Sequence, residues 1–398
     1  MQTRSVYLDH NACASPTVLQ QLMADLASGS WIRKDALHFV NRGLGNPSSV
    51  HNFGRNSKSI LRELSEEFSK KLDCPPGRFF FTSGGSEGNS WVLQNFYNNT
   101  NDTGVVLTSR AEHDSVLLAL KGHAKNVRFI ALQRSGQWDL NDLKKTVFEL
   151  REKNQKLPLL ISMVLAHHET GTLQAIEEVS AFAHQHNILL HLDAVQAFAK
   201  VPVRLKEWGV HFATFSFQKL VGPVGLGALY VNLPTDHFGA KSFSSLIFGH
   251  QQDKFRGGTE NVLAVALTLE TLSRLNAKAD WRQVRELRQN LERIMLKEFP
   301  GLLIAGLELQ ESQRLPNTTC FVLPQLRGST AVMALDLRGI CVSAGSACSS
   351  GSVEKNETLL AMGYSEDQAK NTLRLSLGPG TTEDELQYFI SQFKEVVG

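Results

Sequence analysis

Short, continuously apolar runs alternate along the chain with stretches in which apolar positions recur every three or four residues. The runs Arg78–Thr82, Val105–Thr108, Val127–Ala131, Leu159–Val164, Ile188–Leu192 and Ala213–Ser216 are brief and rich in β-branched or aromatic residues, which predicts buried strands. Between them lie helical patterns, such as Leu61, Leu64, Phe68 and Leu72 on one face. Strands separated by helices predict an α/β fold with a mostly parallel sheet. Such sheets hold ligands at the carboxyl ends of their strands, and polar residues gather there in this chain. After about residue 260 the texture changes. Val284, Leu287, Leu291 and Ile294 share one helix face, with arginines on the other. A strand pair is expected from Thr318–Val322 and Ile340–Ser343. The stretch Thr382-Glu383-Asp384-Glu385 reads as a capping box that opens a last helix. This part reads as a second, smaller α/β domain.

Composition narrows the function classes. A chain of 398 residues is long enough for two or three domains without disulfide or metal staples. Its 41 basic and 39 acidic side chains leave a net charge of +2, which gives no electrostatic footprint for nucleic acid or an anionic membrane surface. No apolar run reaches the roughly 18 residues that span a bilayer, and the first residues lack the apolar core of a signal peptide. The five cysteines form no CxxC pair, so neither a disulfide framework nor a structural zinc site is expected. A reducing, cytoplasmic setting follows. A soluble enzyme and a soluble binding protein both remain open.

Several residues at predicted strand ends could carry chemistry. Phe81-Thr82-Ser83-Gly84-Gly85-Ser86-Glu87 runs from a strand into a helix, where backbone amides and the Ser86 hydroxyl suit a phosphate. It lacks the Gly-Lys-Ser/Thr ending of a nucleotide loop, so a plain strand-to-helix turn is the alternative. Asp193 ends an apolar run, with Gln196 three residues on; a buried carboxylate there needs a cation or hydrogen-bond donors. Either a protonated ligand nitrogen or a helix cap would satisfy it. Lys219 follows the strand ending at Ser216 and precedes Gly222-Pro223, a place for a Schiff-base lysine or a snorkelling one. His113 also follows a strand and could stack on a ring or move protons. Cys348 sits among small residues, Ser343-Ala344-Gly345-Ser346-Ala347-Cys348-Ser349-Ser350-Gly351, and is the best nucleophile among the cysteines. Cys320 and Cys341 lie in apolar runs and Cys74 lies beside two prolines, which reads as structural; Cys13 is open. Arg374, inside a strand pattern, could clamp a carboxylate or form a cross-strand ion pair.

Taken in order, these residues resemble the cysteine desulfurases of the aminotransferase class V family. The resemblance rests on Tyr7-Leu8-Asp9-His10-Asn11-Ala12, Gly45-Asn46-Pro47-Ser48-Ser49-Val50-His51, Phe81–Glu87, Glu112-His113, Glu169-Thr170-Gly171, Asp193-Ala194-Val195-Gln196, Ser216-Phe217-Gln218-Lys219, Arg256-Gly257-Gly258-Thr259-Glu260-Asn261, Ser346-Ala347-Cys348 and Arg374-Leu375-Ser376-Leu377-Gly378. It covers nearly the whole chain. It implies a type I pyridoxal phosphate transferase fold: a large domain over 16–260 with a mostly parallel seven-stranded sheet flanked by helices, and a small α/β domain from 1–15 and 261–398 that carries the cysteine loop.

The implied cofactor is pyridoxal 5'-phosphate and the implied substrate L-cysteine. Lys219 would link to the cofactor and move protons; Asp193 would pair with the pyridine nitrogen, Gln196 with the ring oxygen, and His113 would stack on the ring. Gly85, Ser86, Ser216 and Gln218 would hold the phosphate, with Thr259 reaching in from the second subunit of a homodimer. Arg374 and Asn11 would hold substrate, and His168 would touch cofactor and substrate. Cys348 would take the sulfur as a persulfide, release alanine, and pass the sulfur to an acceptor protein, an iron–sulfur scaffold or a thiolation carrier; no metal is implied.

The chain also departs from the family pattern. Gln218 stands where a histidine usually precedes the lysine, His168 where an asparagine is usual, and Cys13-Ala14 where two threonines are usual. Gly249-His250-Gln251-Gln252 replaces a glycine-rich run. These departures keep two alternatives in view: a class V enzyme acting on another amino acid such as selenocysteine, and a non-catalytic paralogue in sulfur transfer.

Overall fold

The structure, a computed structural model, describes residues 5–13, 43–75, 79–220, 222–233, 243–274, 277–345 and 356–397. Cys348 and its loop lie outside them. A first short strand, β1 (Val6–Tyr7), precedes the strands of the main sheet: β2 (Phe79–Thr82), β3 (Val105–Thr108), β4 (Val127–Phe129), β5 (Leu159–Val164), β6 (Leu189–Asp193), β7 (Phe212–Ser216) and β8 (Gly227–Val231). These seven pair in the order β2-β8-β7-β6-β5-β3-β4. All neighbours are parallel except those of β8, which runs antiparallel to both β2 and β7. Every residue of β3, β5 and β6 is buried, as expected of strands covered on both faces.

Helices cover both faces. On α1 (Asn52–Lys71) the residues Ile60, Leu64 and Phe68 are buried, and Phe68 packs edge-on against Phe79, Phe215 and Phe217. On α2 (Gly85–Asn99) the buried face carries Trp91, Val92, Leu93 and Phe96 and belongs to a second apolar cluster with Val106, Leu160 and Leu229.

A smaller antiparallel sheet follows, β12-β13-β10-β9, built from β9 (Leu303–Ile304), β10 (Thr318–Val322), β12 (Ser343–Ala344) and β13 (Thr372–Ser376). The expected pairing of Thr318–Val322 with Ile340–Ser343 does not form. β13 lies between β10 and β12, and β11 (Ile340–Cys341) pairs instead with β1. All five residues of β13 are buried, so this strand takes the sheet's central place and displaces the nearer segment. The long helix Ala277–Glu298 buries Val284 and Leu291, and the last helix, Glu383–Val397, opens with the expected box: Thr382 N donates to Glu385 Oε2 at 2.8 Å and Glu385 N to Thr382 Oγ1 at 3.3 Å.

The N-terminal segment crosses between the two sheets. Val6 and Tyr7 pair with Ile340 and Cys341, Asp9 bridges to Ser376, and Asn11 N donates to Ser376 Oγ at 2.8 Å. No helix among the described residues is long and apolar enough to cross a membrane.

Candidate active site

The carboxyl ends of the central strands open into a cleft of about 710 Å³. That lies within the usual range for small-molecule sites. Of the residues singled out from sequence, Asn11, Gly85, Ser86, His113, His168, Asp193, Gln196, Ser216, Gln218, Lys219 and Arg374 all line it. Thr259 is exposed and does not.

One end is built as an anion cradle. The chain turns from β2 through Ser83 and Gly84 into α2, so the first amides of a four-turn helix point at the cleft without intrahelical partners. The turn sits tight against β8. A Cβ on Gly227 would stand 2.6 Å from Phe215 O and 2.7 Å from the Gly84 Cα, so only glycine allows this approach. Glu87 accepts from Ser83 N at 2.7 Å and pairs with Arg256 Nε at 2.9 Å. Burial works against its charge, but Arg256 and the Ser83 amide hold the carboxyl below its ordinary range. Arg256 is thereby neutralised, leaving helix amides and the neutral groups Ser86, Ser216 and Gln218 at this end.

At the centre, Asp193 closes β6, only 4% exposed. Oδ2 accepts from Asn89 Nδ2 at 2.8 Å and Oδ1 from Val195 N at 3.0 Å. No ion pair reaches it among the described residues. A buried carboxylate with hydrogen bonds but no counter-cation is matched to a cationic nitrogen on a ligand. Beside it, burial first and Asp193 second push the Glu112 carboxyl up to about 8, against hydrogen bonds from Ser109 Oγ and Val164 N.

Lys219 ends the 3₁₀ turn after β7 and donates to Ala12 O at 2.7 Å. Burial, with Arg374 nearby, lowers its pKa and raises the fraction of neutral, nucleophilic amine. Arg374, on β13, donates to Asp9 Oδ1 at 2.6 Å and to His168 O at 3.3 Å, while its Nε finds no partner. Arg374 thus forms an ion pair and also lines the cleft. His113 caps the helix Asp114–Leu120 by accepting from Ser115 N, and stands edge-on to His168 with ring centroids 5.7 Å apart. Burial first, then His167 and Arg374, hold His168 well below the ordinary histidine pKa, so its imidazole is neutral.

Asn11 departs from the expectation of substrate contact. Its Oδ1 accepts from Lys200 Nζ and Asn317 Nδ2 at 3.0 Å each, and its Nδ2 donates to Thr318 Oγ1 and His168 O. The amide has no hydrogen bond left for substrate. Three residues went unnoticed in the sequence: Asn89, Lys200 and Asp9. Asn89 lies one helical turn beyond Gly85, a spacing that could have marked it; Lys200 interrupts the apolar run Ala197–Val203 and Asp9 does not stand out.

A cleft with an anion cradle, a central carboxylate and a desolvated lysine on a mostly parallel α/β sheet defines a class of enzyme that holds an anionic, nitrogen-bearing cofactor beside an amine. Comparison with known proteins agrees. The aminotransferase class V family matches residues 32–389. The chain is 31% identical over 389 residues to a cysteine desulfurase IscS of Dictyoglomus turgidum, covering 95% of each chain, and 30% identical to a cysteine desulfurase of Nostoc, covering 98% of this chain and 92% of that one. A NifS-like protein from Rickettsia africae superposes with a TM-score of 0.80 over 99% of both chains at 28% identity. The chain belongs to the aminotransferase class V family, whose enzymes depend on pyridoxal 5'-phosphate.

The donor set fits that cofactor. Its phosphate would meet helix amides and hydroxyls, and its pyridine nitrogen would meet the Asp193 carboxylate, which has no cation of its own among the described residues.

Proposed function

We propose that the protein is a pyridoxal phosphate-dependent L-cysteine desulfurase. The observation that carries this reading is the meeting, in one cleft, of a desolvated Lys219, an unpaired Asp193 carboxylate and the Arg374 guanidinium. The cofactor supplies an electron sink for bonds at the substrate α- and β-carbons. Asp193 keeps the pyridine nitrogen protonated, and Gln196 turns an amide N–H to the ring oxygen. Gly85 N–H, Ser86, Ser216 and Gln218 hold the phosphate. His113 and His168 line the cleft where the ring sits, and Arg374 takes the substrate carboxylate. Lys219 would hold the cofactor through Nζ and, as a neutral amine, could carry a proton there.

Cys348 is the proposed nucleophile. Its thiolate attacks the substrate sulfur; an S–S bond forms, the Cβ–S bond breaks with its electron pair left on carbon, and protonation of that carbon yields alanine. The persulfide then passes to an acceptor protein. Attack inside a cleft followed by delivery outside it suits a loop rather than a rigid element. The working unit is a homodimer in which Thr259 enters the cleft of a second copy; its exposure, away from its own cleft, supports this.

The test is alanine released from L-cysteine with a thiol reductant present. Alanine and sulfide in equal amounts are expected, and Cys348→Ala is expected to keep the cofactor's absorbance and lose alanine formation. Unchanged alanine formation in that variant refutes the role of Cys348. The neutral His168 imidazole in place of the usual amide favours a second reading, desulfuration or deselenation of another amino acid; a substrate panel that leaves L-cysteine unused selects it.

A further inference from the structure

Lys200 is 6% exposed and takes no part in the chemistry above. Its Nζ donates to Gln196 Oε1 at 2.7 Å and to Asn11 Oδ1 at 3.0 Å, both neutral acceptors. No carboxylate pairs with it among the described residues, and the charged groups that bear on it, Lys219 and Arg374, are cations. The backbone leading to it is also unusual. Ala199 holds φ +57°, in the left-handed region where a Cβ is unfavourable. A buried ammonium without a counter-charge, reached through a strained residue, is costly, and such cost persists where a site depends on it.

What Lys200 determines is the sense of two carboxamides. A lysine ammonium has only donors, and Gln196 accordingly turns Oε1 to it and Nε2 away. One Nε2 hydrogen goes to Asn11 O at 3.0 Å, which leaves the other for the cleft that Gln196 lines. Asn11, turned the same way, sends Nδ2 to His168 O, the carbonyl that also takes Arg374. We propose that Lys200 is a positioning residue that locks Gln196 as a hydrogen-bond donor to the cofactor's ring oxygen and, through Asn11, seats the His168 backbone. This rests on the cofactor reading above. Without Lys200 only the Asn11 carbonyl is left to hold the Gln196 amide in that sense, and a carbonyl turned to the ring oxygen would repel it.

A double-mutant cycle tests the assignment, read as pyridoxal phosphate affinity and as the position of the bound cofactor's absorbance band. Lys200→Met keeps the volume and removes the donors. It is expected to weaken cofactor binding about tenfold, the size of one lost hydrogen bond to a charged acceptor, and to shift the band. In a Gln196→Leu background the same substitution is expected to change affinity less than about twofold, because the group it orients is gone. Equal losses in both backgrounds overturn the proposal and leave Lys200 a packing residue. Wild-type protein that takes up no pyridoxal phosphate overturns the cofactor reading and this proposal together. Should Lys200→Met fail to fold, Lys200→Gln, which retains an amide donor, enters the same cycle with a smaller expected loss.

Discussion

Replacing Asp193 by asparagine separates what the site does for folding from what it does for binding. Asp193 is 4% exposed and held by two N–H donors with no cation among the described residues. Two hydrogen bonds to a charged acceptor contribute about 1.5–3 kcal/mol each, while burying an ion without a partner costs several kcal/mol. The two nearly cancel. Asparagine avoids the cost of burying charge and can keep both contacts: Oδ1 still accepts from Val195 N, and Asn89 can turn its amide to offer Oδ1 to the new Nδ2. That turn gives Asn89 Oδ1 a partner but takes Nδ2 off Ser115 Oγ, to which it donates at 2.9 Å, and into the buried place where Oδ1 now has none. Asp193→Asn is therefore expected to be nearly neutral, within about 2 kcal/mol, a change of at most a few degrees in Tm for a protein of this size. Its affinity for pyridoxal phosphate is expected to fall at least about a hundredfold, because truncating one side of a buried charge pair costs about 3–5 kcal/mol. Thermal melts of cofactor-free protein and a cofactor titration followed by absorbance measure the two effects. A drop of more than a few degrees without cofactor, or an unchanged affinity, would refute the reasoning.

Ala199→Gly is expected to raise Tm, since glycine adopts φ +57° without the roughly 1 kcal/mol penalty of a Cβ; an unchanged or lower Tm in thermal melts counts against strain at that turn. Glu292, 4% exposed, bridges Arg288 and Arg314 at 2.8 and 2.6 Å, and Glu292→Gln is expected to cost about 3 kcal/mol in denaturant unfolding by leaving two buried guanidiniums to share the more exposed Glu311. Burial opposes the charge of Glu292, but the two arginines hold its carboxyl below the ordinary range, so its contribution is present above that range and is lost as pH falls through the depressed value. The denaturant midpoints of the wild type and this variant are expected to converge as pH is lowered. For Lys200 the slope has the same sign but comes from a cost that fades rather than a gain: burial lowers its pKa to about 7, so between there and the ordinary lysine value the unfolded chain binds more protons and wild-type stability rises with pH. The Tm advantage of cofactor-free Lys200→Met over wild type is expected to shrink as pH rises from about 7 to 10.

The main sheet was legible because its strands are buried on both faces and so read as continuous apolar runs; β5 and β3 match the expected bounds at every residue. β8 was missed. It is a five-residue antiparallel return that begins with a glycine, and no periodicity signals such a strand. The small sheet was misread for a different reason: β13 takes the central place by tertiary packing, which local pattern does not encode. The cleft-lining residues were visible because they follow strand ends one after another, as Asp193 and Lys219 do. Asn89 and Lys200 were not, because each acts by orienting a neighbour, and that relation exists only once the chain has folded.

The crossing made by residues 6–12 bears on how the two sheets can move. Leu8, Asp9, Asn11 and Ala12 connect to Ser376, Arg374 and Thr318 on the small sheet and to Gln196, Lys200 and Lys219 on the turns that follow β6 and β7 of the main sheet. The strap holds no reacting group, yet any hinge opening between the sheets must stretch or break it. Trimming the first dozen residues would therefore loosen the cleft from its floor, and a tag that pulls on this segment would act as a lever on Lys219 and Arg374 at once.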